Sequence, residues 1–226
     1  MSNVERASYR AMLRDGVDEQ SLAAQLEAIR AEAQLLVDDG HLLTAVMCRH
    51  GCELFLYLEH IYEGAAPDLE ALCRLPDSLG WLAGEVEPFP THLGDRAWAY
   101  MQPAFWFDVP QSVEQFARAQ RPDERRGRIA RLLPGKVMDY VCHHQAIVRE
   151  GLLVGDRYQF ISVHDDMLFS YLEFPRDREQ VNIRRKEGES IEIKKWLDVD
   201  PASHFDQELA AGGDFLMIDT VLSVGR

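Results

Sequence analysis

The chain of 226 residues carries 38 Asp and Glu against 24 Lys and Arg, and its net charge of −14 argues against nucleic acid or an anionic membrane as partner, since both are bound through clustered cations. With 46% hydrophobic and 27% charged residues it reads as soluble and globular, one large domain or two small ones, and no apolar run reaches the roughly 18 residues of a membrane span. MSNVERASYR lacks the apolar core of a signal peptide, and Cys48, Cys52, Cys73 and Cys142 have neither metal-type nor disulfide-scaffold spacing, so a reducing cytoplasm is the expected location.

In chain order, ASYRAML (7–13) predicts a strand, DEQSLAAQLEAIRAEAQLLVDDG (18–40) a helix, and LLTAVMC (42–48) with ELFLYLEH (53–60) a hairpin. PDLEALCRLPDSLGWLAGEV (67–86) carries a helical pattern, and WAYMQPAFWFDV (98–109) is an apolar, aromatic strand that closes the first half. A linker follows, and the basic run DERRGR (123–128) is expected to belong to it. GRIARLL (127–133) then predicts a strand, PG a break, and KVMDYVCHHQAIVREGLL (136–153) an amphipathic helix. DRYQFISV (156–163) and MLFSYLEF (167–174) flank an acidic turn at Asp165-Asp166. IEIKKWLDV (191–199) is helix-like, and DFLMIDTVLSV (214–224) forms the final strand.

Both halves therefore run strand, helix, strand, strand, helix, strand, and their hairpins repeat: HGCELFLYLE (50–59) and HDDMLFSYLE (164–173) agree at six of ten positions. This pattern predicts an α+β chain of two tandem ferredoxin-like βαββαβ repeats, 1–109 and 127–226, joined by 110–126. Each repeat leaves one sheet face bare, so the two are expected to pack sheet to sheet as a fused, pseudo-dimeric α+β barrel. The alternative is two adjacent domains that each pair with another chain, and the expected assembly is a monomeric pseudo-dimer or a homodimer. Trp98, Phe105 and Trp106 are expected to fill the barrel. The repeated Glu59 and Glu173 fit either buried carboxylates or exposed strand ends, and the second is the expectation.

Tyr140 and His144 are four residues apart and share a helix face. Tyr158, Phe160, Ser162 and His164 alternate onto one side of the strand at 156–163. Lining a barrel, these side chains would make a pocket for acid/base chemistry, because an imidazole near its ordinary pKa of about 6.5 exchanges protons at neutral pH and a phenol can polarise a carbonyl. Such chemistry needs no cofactor. His143, His144, His164 and Asp165 have no metal-site spacing, so no metal is expected.

The second half resembles L-rhamnose mutarotases, whose helix pattern Tyr-x-x-x-His-x-x-Ile-x-x-Glu is present as Tyr140, His144, Ile147 and Glu150. Tyr158, Trp196 and the MQPAFWF ending at 101–107 are further matches, while His143 and Val148 stand where that family has Arg and Trp. The resemblance implies the dimeric α+β barrel superfamily and a cofactor-free isomerase that interconverts the anomers of a small or deoxy sugar. In it His144 would transfer the proton, Tyr140 and Tyr158 would hold the sugar, and Trp196 would be a stacking wall. The same stretch is similar to aromatic polyketide cyclases of the tetracenomycin type through His144, Arg157, His164-Asp165 and Glu173. That likeness implies His144 or His164 as the base and Arg157 as partner of an enolate oxygen.

A small molecule is the expected partner in both readings, and a ligand-binding protein without turnover is the third. The counterpart of His144 in the first half is Gln25 or Arg30, so that half is expected to be scaffold, with Tyr100 and Trp106 as candidate pocket walls. A small cavity rich in hydroxyls and carboxylates would favour a sugar, an apolar slot an aromatic polyketide, and a filled interior no chemistry.

Overall fold

The chain, described at residues 2–91 and 93–226 in a computed structural model, opens with strand β1 (Asn3–Met12) and helix α1 (Glu19–Asp38). Asp18 starts α1 by accepting a hydrogen bond from the Ser21 backbone N–H at 2.7 Å, which supplies one of the helix's unpaired first-turn donors. Leu22, Leu26, Ile29, Ala33 and Val37 then recur at helical spacing and form its buried stripe. Strands β2 (Leu42–His50) and β3 (Glu53–Tyr62) form a hairpin, followed by helix α2 (Leu69–Leu79) and strand β4 (Ala99–Trp106). Helix α2 ends seven residues before the expected 86, because Gly80 adopts a left-handed cap with φ of 68°.

The second half repeats the order with β5 (Glu124–Leu132), α3 (Val137–Glu150), β6 (Phe160–His164), β7 (Met167–Phe174), α4 (Ile191–Asp198) and β8 (Leu216–Gly225). The fold is α+β, with antiparallel pairing throughout these strands. Among the described residues no helix is long and apolar enough to cross a membrane.

Two compact units divide the chain. The first comprises 1–101, 110–121 and 219–226, and its strands lie in the order β4, β1, β3, β2, β8. The second comprises 102–109 and 122–218, with the order β4, β6, β7, β5, β8. Within each, the half's own strands are arranged fourth, first, third, second. The expected division into 1–109, a linker 110–126 and 127–226 differs from these units at both closing strands. The pairing of β4 passes from β1 at Ala99–Met101 to β6 at 102–106, and that of β8 from β5 at 216–218 to β2 at 219–225.

The expected linker also carries structure. A helical turn at Val113–Phe116 is capped by Ser112, and its Phe116 is fully buried. The basic run 123–128, expected to be linker, lies largely in β5, because Arg125, Gly127 and Ile129 alternate as its buried positions. The strand expected over 156–163 begins only at Phe160. Asp156 accepts from the Tyr158 N–H at 3.1 Å, a local turn that competes with the sheet ladder.

The expectation that Glu59 and Glu173 are exposed is incorrect; both carboxylates are buried. In the first unit the Tyr57 hydroxyl donates to Glu59 at 2.7 Å, Arg6 Nε donates to that hydroxyl at 2.8 Å, and Arg118 donates to Glu59 through both terminal nitrogens. Burial works to raise the Glu59 pKa, but the Arg118 and Arg6 guanidiniums and the Tyr57 hydroxyl together outweigh it and the carboxyl titrates low. In the second unit Tyr171 donates to Glu173 at 2.6 Å, Arg178 donates at 2.5 Å, and Arg125 lies 3.5 Å away. The cross-strand neighbours correspond, Arg6 to Glu59 and Arg125 to Glu173. The repeated Tyr-Leu-Glu therefore encodes one buried ionic arrangement in each unit.

Candidate active site

The second unit contains a cavity of about 240 Å³ between its sheet and its helices. Helix α3 supplies Tyr140, His144 and Ile147, the residues that spacings of four and three put on one face. Glu150, three residues further on, accepts hydrogen bonds from the Ser190 hydroxyl and the Ile191 N–H and so fastens the start of α4, which brings Trp196 to the cavity. The sheet side carries Phe105, Arg128 and Ile161. Phe107 also lines the cavity, and it packs so close to Gly155 that a Cβ there would stand 2.3 Å from the ring.

His144 is buried, and its ring stacks on that of Tyr140 with centroids 3.8 Å apart. Trp196 presents its edge to both, at 4.8 Å from His144 and 5.6 Å from Tyr140. His144 Nδ1 lies 2.9 Å from the Tyr140 carbonyl oxygen. A carbonyl can only accept, so Nδ1 carries the proton and Nε2 is left with its lone pair. Burial pushes the His144 pKa down to about 4, against the opposing pull of that hydrogen bond, so the imidazole is neutral at physiological pH. Burial raises the Tyr140 phenol well above its ordinary value, which keeps it a donor. Arg128 lies over the Phe215 ring, 4.1 Å from its centroid, and burial lowers its pKa to about 10, leaving it charged at neutral pH.

The structure brings together His144, Tyr140 and Trp196, and sets the other candidates apart. Arg157 donates to Asp108 and to Glu179, both at 2.8 Å, and the Tyr158 hydroxyl donates to Glu179 at 2.7 Å, so these two join an ionic cluster instead of lining the cavity. Ser162 lies between Ile161 and Val163, two residues of the core under the helices, so strand alternation turns it to the opposite sheet face. His164 ends β6 at the hairpin turn, 3.5 Å from Asp165. Tyr100 and Trp106 do not line the cavity either.

The sequence reading missed Arg128, Asp214 and Phe215 as lining residues. A signal for Arg128 was present: it shares the strand face of Ala130 and Leu132, both core residues, at a spacing of two. Among the described residues no group of three or more His, Cys, Asp or Glu side chains is placed to hold a metal ion.

No family model matches the chain, and no curated protein matches it. Two crystal structures are similar over nearly its whole length. One, from Fusobacterium nucleatum subsp. nucleatum and named a "putative monooxygenase", is 11% identical, covers 99% of this chain and 94% of its own, and has a TM-score of 0.41. The other, named in the same way and from Lactobacillus acidophilus, is 7% identical, covers 99% and 96%, and has a TM-score of 0.45. Similarity this distant carries no weight for the reaction.

Proposed function

We propose that the chain is a small-molecule enzyme performing cofactor-free acid/base chemistry at His144, on a planar conjugated carbonyl compound in preference to a sugar. The observation that carries this is a neutral, buried imidazole, fixed through Nδ1 and stacked on a phenol, in a cavity walled by Phe105, Phe107, Trp196, Phe205 and Phe215. A sugar needs many hydrogen-bonding partners, and this lining is mainly aromatic and aliphatic, which supports the cyclase-like alternative over mutarotation.

In this reading His144 Nε2 takes a proton from a carbon between two carbonyls, and the electron pair moves onto a carbonyl oxygen. The Tyr140 hydroxyl donates to that oxygen as its charge develops. The proton then passes from Nε2 to the oxygen or to another position of the same conjugated system, so the net change is an isomerisation or the first step of a ring closure. The low pKa leaves Nε2 unprotonated at neutral pH but makes it a weak base, so the proton it takes must be an acidic one, as between two carbonyls.

We also infer that the two halves are tandem copies of a ferredoxin-like unit of the sort found in the dimeric α+β barrel superfamily. The common strand order and the Tyr-x-Glu arrangement in each unit support it.

The test is the keto–enol interconversion of benzoylacetone, followed by ultraviolet absorbance. The protein should accelerate it, and His144→Gln should reduce the acceleration by about a hundredfold or more. An acceleration that survives in H144Q would move the chemistry elsewhere. Faster anomer exchange of L-rhamnose by NMR, with benzoylacetone unaffected, would restore the mutarotase reading.

A further inference from the structure

Arg128, half-buried, differs from the paired arginines of its unit. Arg125 and Arg178 meet Glu173, and Arg157 meets Asp108 and Glu179. Among the described residues no carboxylate forms an ion pair with Arg128, and its Nε is buried with no hydrogen-bond partner. Asp214 lines the same cavity outside ion-pair range, its Oδ1 accepting from the Gln207 side chain at 3.3 Å, and Arg176 adds like charge. Such a guanidinium, half-buried beside an aromatic cavity with its Nε out of water, has lost part of its hydration with no anion to offset it. Its face is covered by Phe215, which leaves the in-plane terminal nitrogens to meet a ligand.

We infer that the cavity takes a planar conjugated carboxylate, whose anionic group pairs with Arg128 while its ring system lies among Phe105, Trp196 and Phe215. The inference rests on the reading that this cavity is the reaction site, and adds the substrate's charge. It also places the carboxylate at the sheet wall, opposite the helix that carries His144, so the ligand is held by one end and reacts at the other.

Binding of 2-naphthoate and of its uncharged amide, 2-naphthamide, to the full chain by titration calorimetry tests it. The acid should bind about tenfold or more tightly than the amide, in keeping with a charge-assisted hydrogen bond. Arg128→Met should equalise the two, and Arg128→Lys should keep part of the preference. Equal affinities in the wild type, or a preference that survives in R128M, would overturn the inference. Acid preference without catalysis of benzoylacetone interconversion would remove the acid/base reading and leave this one standing, whereas binding of neither probe, with His144-dependent catalysis of benzoylacetone intact, would remove this inference alone.

Discussion

His144 shows how a residue's surroundings set its chemistry. In the unfolded chain it titrates near 6.5, and burial in the folded state lowers this to about 4. The unfolded state then binds more protons between those values, so the stability linked to His144 is complete above about 6.5 and is lost as pH falls through about 4. On urea denaturation at about pH 7 and about pH 4, the wild type should lose on the order of 3 kcal/mol more than H144Q. Equal losses in the two proteins would mean that the imidazole is not held neutral by the fold. The pairing of His144 with Tyr140 was legible in the sequence, because helical spacing alone puts them on one face. Arg128 was marked only by its spacing of two from Ala130 and Leu132, at the end of a charged run that reads as linker.

At the scale of elements, the hairpins could be read from sequence and the start of β6 could not. The β7 hairpin strand coincides with the expected 167–174, since alternating apolar residues and an acidic turn both mark it. Residues 156–158 look equally strand-like, but the Asp156 side chain captures a backbone N–H and holds the segment in a turn. Burial of the hairpin glutamates was also hidden, because it depends on Arg118 and Arg178, which come from other segments of the chain. Breaking such a pair leaves a buried charge alone. Glu59→Gln and Arg118→Met should each cost about 3–5 kcal/mol in denaturant unfolding, and the double replacement should recover much of that loss. Strict additivity of the two would show that the pair does not act as a unit.

At the scale of the whole molecule, the first compact unit is completed by the last eight residues of the chain. Residues 219–225 pair with β2, and Leu222 and Val224 are buried in the first unit's core. A chain ending at residue 218 loses this strand and both side chains, which should destabilise the first unit by about 3 kcal/mol or more. Hydrogen exchange should show the β2 amides losing protection; retained protection there would show that residues 1–121 are self-sufficient. The sequence repeat predicted two equal consecutive halves, and the main strands and helices occur in the same order in each, with different short strands between them. What it could not reveal is that β4 and β8 each change their pairing partner along their length, since that depends on register and not on composition.

Gly155 joins these scales. The Phe107 ring occupies the space that any side chain at position 155 would need, so a missing atom shapes one wall of the cavity. Glycine and alanine codons differ by a single nucleotide, and so the contour of the chamber lies one base change from revision.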